Sequence, residues 1–205
     1  YKTTICTPSK TEMKPEIPMA PIQDRHAVYS ALLELLPLEE DHLNNLRNRG
    51  LPDDVIGKNG YRSYSRERTG LAAQIVKRGL MLRGIPGFYY EKENWRLVKT
   101  KRGILIPVRD TEGRIQGLQI RLDDEAKRKY RWISSVDKPE GTGMKSVCHF
   151  TAGDFSELIT TEGPLQADVI HHFPQKRICA APGVNSLADL RNQLKTLRHR
   201  GVKKA

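Results

Sequence analysis

Two hundred and five residues allow one domain or two small ones at about 100–200 residues each, enough to bury a core without disulfide staples. Thirty-five Lys and Arg against 24 Asp and Glu leave a net charge of +11 and a pI near 9.7, which favours polyanionic partners. No apolar run reaches the roughly 18 residues a spanning helix needs. The three cysteines, Cys6, Cys148 and Cys179, have neither a disulfide framework's number nor metal-ligand spacing, so a reducing, cytoplasmic setting is expected.

The chain opens on Tyr1-Lys2-Thr3 with no charged and apolar leader, which reads as a fragment of a longer protein. Pro8, Pro15, Pro18 and Pro21 make residues 1–22 a linker or an extended draped segment. From Asp24 onward Val28, Leu32, Leu35 and Leu36 recur at helical spacing, and Pro37 closes that helix. Residues 39–48 and 52–58 read as two further short helices, either a packing unit or a helix-turn-helix with the first. A helix over 70–78 would bury Leu71, Ile75 and either Val76 or Leu80.

The period then changes to that of strands: residues 88–90, 96–99, 103–108 and 114–121, the last two joined as a hairpin through Arg109–Gly113. Residues 123–150 are polar and predict a long surface excursion holding a short strand at 130–134. Strand 157–161, helix 164–173, strand 177–181 and helix 186–198 follow, the order of parallel β-α-β units. The chain is thus α+β: a helical and antiparallel-β basic subdomain over 23–150, then a partial α/β parallel sheet over 151–205.

Charge is concentrated. Residues 58–102 hold 12 basic and 3 acidic groups together with Tyr61, Tyr64, Phe88, Tyr89, Tyr90 and Trp95. Cations that meet phosphates and rings that stack on bases would make a nucleic-acid groove; a solvated basic surface over core aromatics is the other reading. Glu162 stands at the carboxyl end of a strand expected to be buried, before Gly163 and a helix opened by Pro164. A carboxylate there can hold a hard divalent ion or move a proton, or simply cap the helix. Asp123-Asp124-Glu125 reads as a solvated turn, His171-His172 point in different directions, and Asp168 faces either solvent or the sheet. Neither a phosphate-cradling loop nor a glycine fingerprint is present, so hydrolase and nucleotide-cofactor readings lack support.

Three stretches in order, residues 46–56 (LRNRGLPDDVI), 103–121 (GILIPVRDTEGRIQGLQIR) and 158–163 (LITTEG), resemble the catalytic core of bacterial DnaG-type primases, a basic α/β subdomain followed by a TOPRIM domain. Lys129-Tyr130 is similar to the Lys-Tyr that follows the family's hairpin, and residues 181–186 (APGVNS) to the small-residue turn after the second TOPRIM strand. The resemblance spans about residues 42–200. It implies that Glu162 is the TOPRIM glutamate, working with an Asp-x-Asp pair to hold Mg2+ or Mn2+. It also implies that Arg109, Arg121 and Lys129, with Tyr130, Arg102 and Lys101 beside them, grip single-stranded template, nucleotide triphosphates and primer. A replicative helicase is the implied protein partner, and no membrane is involved.

The sequence departs from the family in three ways. The chain ends where the resemblance puts the Asp-x-Asp strand, the upstream zinc-binding cysteines are absent, and Leu118 and Gln119 replace frequent glycines, as in a divergent phage or mobile-element branch. The expectation is a fragment that binds single strands and alone polymerises nothing, its parent carrying out metal-dependent nucleotidyl transfer. A non-catalytic binding module and another TOPRIM enzyme, nuclease or topoisomerase, stay open.

Overall fold

The computed structural model describes residues 17–65, 69–124, 129–153, 157–173, 176–181 and 187–199. A four-stranded antiparallel sheet organises the first two thirds, in the order β1 (Arg62–Tyr64), β4 (Gly103–Arg109), β5 (Ile115–Leu122), β6 (Tyr130–Trp132). Strand alternation gives it two differently covered faces. Leu105, Leu118, Ile120 and Leu122 point into a core with α1 (Ile22–Glu34) and α4 (Leu71–Lys77), whereas Ile104 and Ile106 point the other way, toward α2 (Glu40–Arg47) and α3 (Asp53–Asn59). The first three helices are therefore not a helix-turn-helix, because the sheet lies between α1 and the other two.

A two-stranded hairpin, β2 (Phe88–Glu91) and β3 (Asn94–Leu97), packs onto the α1 side through Phe88, Trp95 and Leu97. Strand β2 is one residue longer than the strand expected at 88–90, and β3 lies two residues earlier than the one expected at 96–99, since the turn is only Lys92-Glu93. Val76 of α4 stays exposed, and Leu80, just past the helix, packs against the core. Of the segment expected to be a linker or draped over 1–22, residues 1–16 lie outside the described residues and Ile22 already belongs to α1; at Ala20 the backbone N–H bonds Gly84 O. The 123–150 excursion is not all surface: Ser135 Oγ accepts from Gly87 N–H, donates to Phe88 O and anchors the loop behind β2.

The last third is a three-stranded sheet in the order β7 (His149–Phe150), β9 (Arg177–Ala181), β8 (Leu158–Glu162), with β8 and β9 parallel. Central β9 is covered on both faces, Ile178 and Ala180 by α5 (Pro164–His172) and Cys179 by α6 (Leu187–His199). Edge strand β8 is buried only at Leu158, so Glu162 ends an exposed strand rather than the buried one expected. Among the described residues no helix is long and apolar enough to cross a membrane.

Candidate nucleic-acid interface

The strand register sets four residues in one row across the sheet: Ser63, Ile104, Arg121 and Tyr130 are direct cross-strand partners and so share a face. Arg121 is only 6% exposed, yet its guanidinium has no ion pair or hydrogen bond among the described residues, and its Nε is buried without a partner. A cation removed from water without a counter-charge is costly, so this position favours an anion. Tyr130 beside it is exposed, and Lys129 precedes it at the same end of the sheet, where Lys129 O accepts from Leu122 N–H.

Arg102 occupies that end too, but it is spoken for. Its guanidinium bonds Glu39, Asp41 at 2.8 Å and Asp123 at 2.6 Å, which raises its pKa, and the bond to Arg102 lowers that of Asp41. Asp123 is thus no solvated turn residue; it also accepts from His42 Nε2 at 3.0 Å, because the chain leaving β5 folds back beside α2. His42 Nδ1 in turn meets Ser63 Oγ at 2.6 Å. This Ser-His-Asp chain is structural, since Ser63 is 1% exposed and its oxygen already accepts from Glu39 N–H. Donor atoms of Glu39, Asp41 and His42 lie within 4.8 Å of one another, the spacing of a metal site, but Arg102 supplies the positive charge there. Glu125 and residues 127–128 lie outside the described residues.

Arg109 lies at the opposite end of β4, six residues and about 20 Å from Gly103. It donates to Asn59 O (3.1 Å) and Gly113 O (2.9 Å), and burial lowers its pKa. Its backbone N–H donates to His149 Nδ1 at 3.0 Å, which leaves the proton on Nε2 to reach Asp168 Oδ1 at 3.2 Å. The other Asp168 oxygen accepts from Tyr61 O–H, so Asp168 faces the antiparallel sheet rather than solvent. Burial, then the Asp168 charge, holds the Tyr61 phenol well above its ordinary pKa. No spacing joins positions 61, 109, 149 and 168, so only the assembled fold reveals this cluster. A cavity of about 550 Å³ opens beside it, between α3 and the end of α5, with Lys58, His171 and His172 in its wall. His171 bonds Lys176 O and His172 packs on Phe173, and neither belongs to a metal-ligating group among the described residues.

Glu162 is at the end of β8, exposed, one residue before the N-cap of α5. Along α5, Leu165 packs with Ile104 and Ile106, Asp168 meets Tyr61, and His171 reaches the cavity. The helix therefore runs toward the Arg109 end of β4, and Glu162, which precedes it, falls toward the Arg121 end of the same face. Its carboxylate is a hard oxygen donor suited to Mg2+ or Mn2+ as one ligand, and among the described residues it belongs to no group of three or more metal-ligating side chains. The 181–186 turn lies outside the described residues beyond Ala181.

No family model and no curated protein matches this chain. Solved structures do match. The fold is similar to that of the zinc-binding and RNA polymerase domains of Aquifex aeolicus primase (16% identity, TM-score 0.64, 87% of this chain and 47% of that one). It is similar to the RNA polymerase domain of Mycobacterium tuberculosis primase DnaG in complex with double-stranded DNA (14%, 0.67, 89% and 62%). A DnaG primase catalytic domain bound to single-stranded DNA also matches (14%, 0.57, 89% and 59%). The chain spans between 47% and 62% of these proteins' lengths. With likeness in architecture far exceeding likeness in sequence, this chain has the fold of the DnaG-type primase catalytic core.

Proposed function

We propose that this chain is the strand-binding part of a primase-like nucleotidyltransferase and that it holds single-stranded nucleic acid on the sheet face carrying Arg121, Lys129 and Tyr130. The observation that carries the reading is Arg121, a buried guanidinium with no partner among the described residues, next to an exposed ring. A backbone phosphate gives the guanidinium its counter-charge, and Tyr130 gives a base a face to stack on. Arg102 and Arg109 are assigned to architecture, because each is already committed to carboxylates or carbonyls.

In this reading nucleotide triphosphates and a template approach from that face, over residues 23–150, and the unit from 151 onward presents Glu162 to Mg2+ or Mn2+. Glu162 would hold the ion, which would neutralise triphosphate charge, and Arg121 and Lys129 would orient the strand.

A salt titration tests the binding step. For single strands each phosphate contact adds about 0.7 to the slope of log affinity against log salt. Arg121→Ala and Lys129→Ala should each lower the slope by about that amount and weaken binding of every sequence alike. Unchanged slopes in both variants overturn the proposal.

A further inference from the structure

We infer that His26 and His149 form a latch on the far end of the β4–β5 hairpin, one that holds while their Nδ1 atoms carry no proton and releases in acid. Arg109 and Ile115 are cross-strand partners at that end, beside the bulge at Val108/Arg109. The neighbouring strands stop short of them: β1 pairs only as far as Leu105 and β6 only as far as Gln119. Two backbone donors are left to other acceptors, and imidazoles supply them. Arg109 N–H donates to His149 Nδ1 in β7 (3.0 Å), and Ile115 N–H donates to His26 Nδ1 in α1 (3.2 Å). A strand carbonyl would accept at any pH, whereas a ring nitrogen accepts only while it carries no proton. The docking of the hairpin end on α1 and on β7 is thus conditional where the rest of the ladder is not.

The surroundings of each ring set the direction. His26 faces Arg109, Asp110 and Arg114, with Ser30 Oγ of its own helix at 3.4 Å. Burial, then the charges of Arg109 and Arg114, lower its pKa against the pull of Asp110. A released ring titrates near 6.5, so the bond to Ile115 is whole above about that pH and is lost as the pH falls through the lower docked value. His149 faces Asp168, which accepts from its Nε2 at 3.2 Å and from Tyr61, while Lys58, His171, His172 and Arg177 share the wall of its cavity. A second proton on His149 turns Nδ1 into a donor that confronts the Arg109 N–H, and the bond to Asp168 stays. The turn between the two amides holds itself: Asp110 N–H donates to Arg114 O (2.9 Å), and the Asp110 carboxylate accepts from the N–H groups of Glu112 and Arg114. Acid therefore frees the hairpin end as a unit and does not melt it.

Amide hydrogen exchange of the full chain, referred to the intrinsic rate at each pH, tests the latch. From about pH 8 to about pH 5, protection at Arg109 and Ile115 should fall about tenfold. Leu105 and Ile120, cross-strand partners inside the same two strands, should keep theirs. His26→Asn, whose Oδ1 takes the place of Nδ1 and accepts at any pH, should hold Ile115 protected in acid and leave the fall at Arg109 unchanged. His26→Ala should leave Ile115 unprotected at both pH values. The latch is overturned if protection at 109 and 115 does not change with pH, if the whole hairpin loses protection together, or if His26→Ala exchanges as the wild type does. Should the alanine variant fail to fold, a wild-type fall at Ile115 in the asparagine variant overturns the latch equally.

Discussion

Asp168 shows what one buried carboxylate does for this molecule. It accepts from Tyr61, at the start of the antiparallel sheet, and from His149 in β7, while His149 in turn accepts from the Arg109 backbone. One side chain on α5 thereby fixes the helix against β4 and the strand beside it. Asp168→Ala strands two buried donors at about 1–3 kcal/mol each, so a loss of about 3 kcal/mol in urea unfolding is expected. Asp168→Asn keeps one acceptor and should lose about half as much. If the alanine variant unfolds at the wild-type midpoint, the cluster is not a clamp. The same residue marks a limit of sequence reading. Its solvent-or-sheet ambiguity cannot be resolved from the helix pattern alone, because its partners stand 107 and 19 residues away.

At the scale of elements, the β2–β3 hairpin carries the least favourable backbone among the described residues. Lys92 and Glu93 both have positive φ, 50° and 60°, as a two-residue type I′ turn demands, and neither is glycine or asparagine. Left-handed backbone costs a residue with a Cβ about 1 kcal/mol. Glu93→Gly should therefore raise stability by about 0.5–1 kcal/mol, read as a higher thermal midpoint; a lower midpoint would refute the turn assignment. The missing Asn-Gly signal is also why the expected second strand sits two residues late. Elements with a strong period were legible: the 103–121 hairpin, the 177–181 strand and the helices of the first half all lie within a residue or two of expectation. Strands β1 and β7, three and two residues long, have no period to read. The residues of the proposed binding face are legible in sequence only as separate cations and a ring; the strand register is what sets Arg121, Lys129 and Tyr130 at one sheet end. Arg102 and Arg109 carry the same charge in sequence, and only their partners distinguish them.

At the scale of the whole molecule, charge along the chain is a poor guide to charge in space. The basic 58–102 stretch spends Arg78 on Glu34, Arg83 on Glu140 and Arg102 on Glu39, Asp41 and Asp123, so acids from outside the stretch neutralise part of it. What joins the layers is instead a set of buried phenols. Tyr29 of α1 donates to Pro86 O (2.9 Å), Tyr64 of β1 to Val98 O (2.7 Å), and Tyr61 to Asp168. Burial raises all three pKa values, that of Tyr64 to about 12. The ordinary phenol titrates near 10, so the unfolded chain releases these protons before the folded one does. Their contribution is complete below about pH 10 and is lost as pH rises toward the folded values, at about 1.4 kcal/mol per pH unit for each phenol. Urea unfolding measured from about pH 8 to 11 should show stability falling steeply above 10. Tyr29→Phe should be less stable at neutral pH by about 1 kcal/mol, for the lost bond to Pro86, yet fall about a third less steeply in alkali, with two phenols left to titrate. A variant that loses stability in alkali as steeply as the wild type would show that Tyr29 is not one of the phenols that couple folding to pH.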